Sequence, residues 1–200
     1  MTIPNRQLNI LLMGPTALDA KGEPIKQRKL HLPGLTLPLL AALTPPEHNV
    51  RLVSETVEDV PYDYDWDLVG ITGMGSGLFR AWQIADEFRK RGVTVVMGGI
   101  AASLCEPEWS LKHADCLITG EAEHTWPQVI ADFQAGTLKT HYCMNSRPDV
   151  NALPVPKYEA MNRKKLGVWR PVQATRGCPF PCSFCSIQSY FERTYRKREV

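Results

Sequence analysis

Three cysteines stand within eight residues of one another near one end of the 200-residue chain, in the run RGCPFPCSFC at residues 176–185. Cys178, Cys182 and Cys185 are spaced C-x3-C-x2-C, and Pro179, Phe180 and Pro181 keep the intervening loop extended. Structural zinc wants four ligands in two separated pairs, and Cys116 and Cys143 have no such spacing. Three thiolates on one loop can instead hold three irons of a [4Fe-4S] cluster and leave the fourth iron open. Phe184 precedes the last cysteine as a cofactor-side aromatic, and Arg176 lies next to the loop. The other three cysteines, Cys105, Cys116 and Cys143, are scattered, as are the five histidines.

A second set of candidates is rich in glycine. Met13-Gly14-Pro15, Thr72-Gly73-Met74-Gly75-Ser76, Gly98-Gly99-Ile100 and Gly120-Glu121-Ala122-Glu123 each follow a short apolar run. Glycine after one strand is an ordinary turn. Glycine after four strands sharing one edge lets a large, flat partner approach the backbone. No G-x-G-x-x-G run opens a helix, which disfavours a dinucleotide.

The elements that would position both sets follow from periodicity. Apolar runs at 8–13, 50–53, 67–72, 93–98 and 115–119 read as buried parallel strands. Helical patterns occupy 36–43, 78–91, 106–112 and 126–135; Gly92 and Gly136 follow two of them as stops, and Pro45 and Pro46 end the first. This alternation predicts an α/β fold, a flavodoxin-like doubly wound five-stranded parallel sheet that binds ligands at the carboxyl ends of its strands. Residues 1–143 form this domain. Residues 144–167, with prolines at 148, 154 and 156, read as a linker. Residues 168–200 begin a second domain, with a strand over 168–175 and a helix opening at 191–200.

With 44% hydrophobic and 22% charged residues, the chain can bury a core, and no apolar run reaches the length of a membrane span. Sparse cysteines and the lack of a signal-peptide pattern predict a reducing, cytoplasmic setting. The net charge of +2 conceals an asymmetry: residues 1–156 carry 13 Lys/Arg against 18 Asp/Glu, and 157–200 carry 10 against 3. No aromatic stacking platform accompanies the basic clusters, so they read as a solvated or covered face and not as a nucleic-acid contact.

The stretch VGITGMGSGLFRAWQIADEFRKRGVTVVMGGIAASLCEPEWSLKHADCLITGEAEHTWPQVIADFQAG resembles the cobalamin-binding domain of B12-dependent radical S-adenosylmethionine enzymes. The C-x3-C-x2-C loop is similar to the cluster loop of that superfamily. The resemblance implies cobalamin held by Thr72, Gly73, Met74, Gly75, Ser76, Gly98, Gly99, Ile100, Gly120, Glu121, Ala122 and Glu123. It implies no histidine below the cobalt, because the loop after the first strand reads GPTALDAKGEP. It further implies a [4Fe-4S] cluster on Cys178, Cys182 and Cys185 that binds S-adenosylmethionine and releases a 5'-deoxyadenosyl radical. Residues 168–200 would be the start of a radical S-adenosylmethionine (β/α) barrel, cut short and inactive alone. The implied activity is methyl transfer, cyclisation or rearrangement at an unactivated carbon of a small molecule, with a flavodoxin or ferredoxin as reductant. The alternatives are a methylthiotransferase acting on tRNA or a ribosomal protein, and a cobalamin carrier or sensor.

Overall fold

The computed structural model describes residues 6–199, so Val200, the last residue of the expected final helix, lies outside the described residues. Its centre is a sheet of six parallel strands in the order β2-β1-β3-β4-β5-β6. These strands are β1 (Asn9–Gly14), β2 (Asn49–Ser54), β3 (Leu68–Thr72), β4 (Thr94–Gly98), β5 (Cys116–Thr119) and β6 (His141–Cys143). The helices that connect them are α1 (Thr36–Leu43), α2 (Gly77–Lys90), α3 (Ile100–Leu104), α4 (Pro107–Leu111) and α5 (Thr125–Ala135).

Both faces of the sheet are covered, and the strand sequence decides which side chain goes where. Ile10 and Leu12 join one core layer with Leu37 of α1 and with Trp126, Val129 and Ile130 of α5. Leu11 and Met13, one residue out of phase, join the other with Leu78, Ile84 and Phe88 of α2. The period of two in a strand and the apolar stripe of each helix together produce this three-layer arrangement. Trp126 Nε1 donates to Thr44 Oγ1 at 2.9 Å, and Thr44 Oγ1 is itself 2.8 Å from Leu40 O at the end of α1. The largest buried side chain of this layer thus has its one polar atom satisfied.

Two parts of the expected fold are corrected. The sheet is Rossmann-like with six strands, not five. The sixth escapes a hydrophobic pattern because only Tyr142 of its three residues is buried. Residues 168–199 do not open a (β/α) barrel. Val168 and Val172 are exposed and belong to no strand, and the only ladder in this region is an antiparallel ribbon of β7 (Thr175–Gly177) and β8 (Tyr195–Lys197). The helix of this region, α6, is Ser186–Tyr190, N-terminal to the expected one.

The segment between sheet and ribbon packs back on the first layer. Met161 bridges Leu52 and Leu166 bridges Leu30, both in parallel sense, and both side chains are buried. Basic residues then fix the ribbon: Arg196 Nη1 donates to Pro148 O at 3.0 Å, and Arg198 Nη2 to Leu153 O at 2.7 Å. Two of the basic residues near this end are therefore held by backbone carbonyls of the connector. No helix among the described residues is long and apolar enough to cross a membrane.

Candidate functional site

A cavity of about 440 Å³ opens at the carboxyl ends of the central strands. Its floor is built from the last residues of β1, β3 and β4 and from the segments that follow β3, β4 and β5, and includes Gly14, Thr72, Gly73, Met74, Ser76, Gly98, Gly99, Ile100, Gly120, Glu121, Ala122 and Glu123. Leu12, Leu35, Leu37 and Trp126 form an apolar wall, and Gln173, Arg176 and Tyr190 line it from the ribbon side. Gly75 and Phe184 do not line the cavity; Gly75 turns with φ +53° at the outer edge of its loop, and Phe184 is 90% exposed.

The floor loops are tied to one another. Gly73 N donates to Gly98 O at 3.0 Å, Ala101 N to Gly73 O at 3.2 Å, and Gly120 N to Ser103 Oγ at 3.1 Å. Gly99 sits at φ +94°, and a Cβ there would fall 2.5 Å from Thr72 Oγ1 and 2.8 Å from Gly73 O. Only glycine fits that junction of β3 and β4.

Arg176 adjoins the cysteine loop in sequence, but in the structure its partners are the carboxylates of the β5 turn. Its Nη1 donates to Glu121 Oε2 at 2.7 Å and also to Glu123, while Nε and Nη2 reach Gln173 Oε1 at 3.0 and 2.8 Å. Arg196 caps the other oxygen of Glu121, and Tyr190 Oη donates to Gly120 O at 2.7 Å. Two carboxylates and two guanidiniums thus close a largely buried network between the β5 turn and the ribbon. Burial alone would lower the Arg176 pKa; the Glu123 and Glu121 carboxylates outweigh it and hold it above the usual arginine value. The carboxylates could be read as a cofactor loop from the sequence, but their partner arginines lie more than fifty residues away.

Burial pushes the Tyr190 hydroxyl up to about 12, reinforced by Glu123 and Glu121, and burial pushes the Cys116 thiol up to about 12 as well. In the unfolded chain these groups ionise at 10.0 and 9.0. The folded chain therefore retains protons that the unfolded chain releases. Their contribution is full below pH 9.0 and is lost as pH rises toward about 12. Urea midpoints measured from about pH 8 to about pH 11 should fall, and Cys116→Val should flatten the first part of that fall. An unchanged slope in the variant would exclude Cys116 as its source.

The cysteines of the C-x3-C-x2-C loop are presented differently from a ligand set. Cys182 is exposed and Cys178 and Cys185 are half-buried. Cys185 N and Gln188 Nε2 both donate to Cys182 O, at 3.1 and 2.6 Å, so backbone and amide bonds hold the turn. Among the described residues no group of three or more His, Cys, Asp or Glu side chains is gathered so as to hold a metal ion. That applies equally to Cys105, Cys116 and Cys143: Cys116 is buried in β5, and Cys143 is exposed at the end of β6.

No family model matches the chain. Among curated proteins it is similar to a bacteriochlorophyllide d C-8(2)-methyltransferase of Chlorobaculum tepidum, 41% identical over 172 residues, covering 82% of this chain and 38% of the relative. A bacteriochlorophyllide d C-12(1)-methyltransferase of the same organism is 30% identical, over 83% of this chain and 38% of the relative. A hopanoid C-2 methylase of Rhodopseudomonas palustris is 28% identical, over 82% and 32%. The chain spans less than half the length of each of these relatives. These names, with the ungathered thiols, overturn the likeness to cobalamin-dependent radical S-adenosylmethionine enzymes. The [4Fe-4S] cluster, the cobalamin, the deoxyadenosyl radical and the radical-enzyme activity derived from it are withdrawn, and the likeness that stands is to methyltransferases.

Proposed function

We propose that this chain is part of an S-adenosylmethionine-dependent methyltransferase whose acceptor is a large, flat, apolar ring system, and that the cavity holds the acceptor ring. The carrying observation is the cavity itself: an apolar wall of Leu12, Leu35, Leu37 and Trp126 faces a floor of glycine turns. Side-chain-poor turns let a planar ring lie against backbone, and the leucines and the indole supply the apolar contact. A chlorin-type acceptor fits this chemistry, and the bacteriochlorophyllide d methyltransferases named above support it.

Each residue of the site then has a task. Leu35 and Leu37, brought over the floor by the start of α1, cover one face of the ring, and Trp126 closes the wall. The network of Arg176 with Glu121 and Glu123 holds the β5 turn in place at the polar end of the cavity.

Titration with a soluble chlorin should quench tryptophan fluorescence saturably. Leu37→Lys, which sets a charge in the wall, should weaken binding by about tenfold or more, because an unpaired ammonium resists burial against apolar surface. Unsaturable quenching, or equal affinity in the variant, would reject the cavity as the acceptor site. Transfer of labelled methyl from S-adenosylmethionine to a chlorin by the full-length protein tests the activity as a whole.

A further inference from the structure

A second concavity, of about 240 Å³, lies between the first turn of α5 and the end of β6. We infer that it is a binding site for a small oxyanion, a phosphate or phosphate monoester. Its lining includes His124, Gln128, Lys139, His141, Asn145 and Ser146, and no Asp or Glu. This absence is pronounced in a chain with 21 acidic residues.

The donors are held but not consumed. The Lys139 ammonium lies 5.7 Å from the centroid of the Tyr142 ring, at the rim. Neither it nor the amide groups of Gln128 and Asn145 has a hydrogen-bond partner among the described residues. His141 Nε2 lies 3.0 Å from Thr119 Oγ1 and 3.6 Å from Cys143 Sγ, and His124 Nδ1 lies 3.4 Å from Ser146 Oγ, so both rings are oriented. Asp132 accepts from the Tyr142 hydroxyl at 2.7 Å and stays outside the lining.

The positive end of the α5 dipole adds to the attraction, although its first amides are occupied: Thr125 N and Trp126 N both donate to Ala122 O, and Pro127 has none. Side-chain donors must therefore make the contacts. A charge-assisted bond from lysine suits a phosphate, with the imidazole and amide groups completing its shell. One loop separates this pocket from the large cavity: Glu121, Ala122 and Glu123 face the cavity, and His124 and Thr125 face the pocket.

Amide NMR spectra of the chain, titrated with sodium phosphate and in parallel with sodium chloride at matched ionic strength, test the site. Phosphate should give saturable shifts confined to residues 124–128 and 139–146, and Lys139→Ala should weaken them about tenfold while Lys112→Ala, on a remote turn, leaves them unchanged. Tighter binding of glycerol 3-phosphate than of inorganic phosphate would identify the ligand as an ester; equal binding would identify the free anion. Equal shifts with chloride, no saturation, or the same response in both lysine variants would overturn the site. The spectra themselves report whether each variant is folded.

Discussion

Arg176→Met should destabilise the chain by about 3 kcal/mol and free residues 173–197 from the sheet. The guanidinium is 7% exposed, and the Glu121 and Glu123 side chains against it are 4% and 8% exposed. Methionine fills the space but leaves Glu123 with no cationic partner, and Glu121 with Arg196 alone. Removing one member of a buried pair exposes the other to the full desolvation penalty, whereas replacing both by neutral groups is often nearly harmless. The double variant Arg176→Met/Glu123→Gln should therefore recover a large part of the loss, and the size of the recovery measures the coupling. Urea denaturation gives the free energies. Trypsin gives the location, because Arg196 and Lys197 lie in the ribbon that the network holds and Arg193 in the turn before it. A loss under about 1 kcal/mol, with no new cleavage in the ribbon, would mean that the network is a solvated surface pair in disguise.

The same network marks the boundary of what the sequence discloses. The first five strands are legible because each is a run of apolar residues bounded by glycine, proline or charge, and α2 because its apolar stripe has the helical period and Gly92 stops it. β6 is not: His141 is half-buried and Cys143 exposed, and only neighbours distant in sequence make those three residues a strand. α3 hides for a related reason, since Ile100–Leu104 is a single turn and starts from a glycine at positive φ. The floor of the cavity could be read from glycines that follow strands. Its wall could not, because Leu35, Leu37 and Trp126 look like any other core residues until the topology places them above the floor. Cysteine spacing fixes distance along the chain, but whether thiols converge is a tertiary property, and here the turn is held by Cys182 O.

Gly99→Ala should cost about 2 to 3 kcal/mol and abolish chlorin binding, and the reason separates two physical effects. The first is conformational: φ +94° is open to glycine and strained for alanine, at about 1 to 2 kcal/mol. Gly92→Ala, at φ +78° with nothing within 4 Å of the new Cβ, carries that effect alone. The second is steric. At residue 99 the methyl would meet Thr72 Oγ1 at 2.5 Å and Gly73 O at 2.8 Å. The hydroxyl can rotate away, but the carbonyl belongs to backbone that is tied through Ala101 N and, at the adjacent amide, to Gly98 O. Relief must come from parting the ends of β3 and β4, which are the floor of the cavity. The excess of Gly99→Ala over Gly92→Ala in urea denaturation isolates the steric part, and chlorin affinity at a denaturant concentration where both variants are folded reports the deformed floor. If the two alanines cost the same and bind alike, the close approach at Gly99 does not shape the site, and the glycine is there for its turn alone.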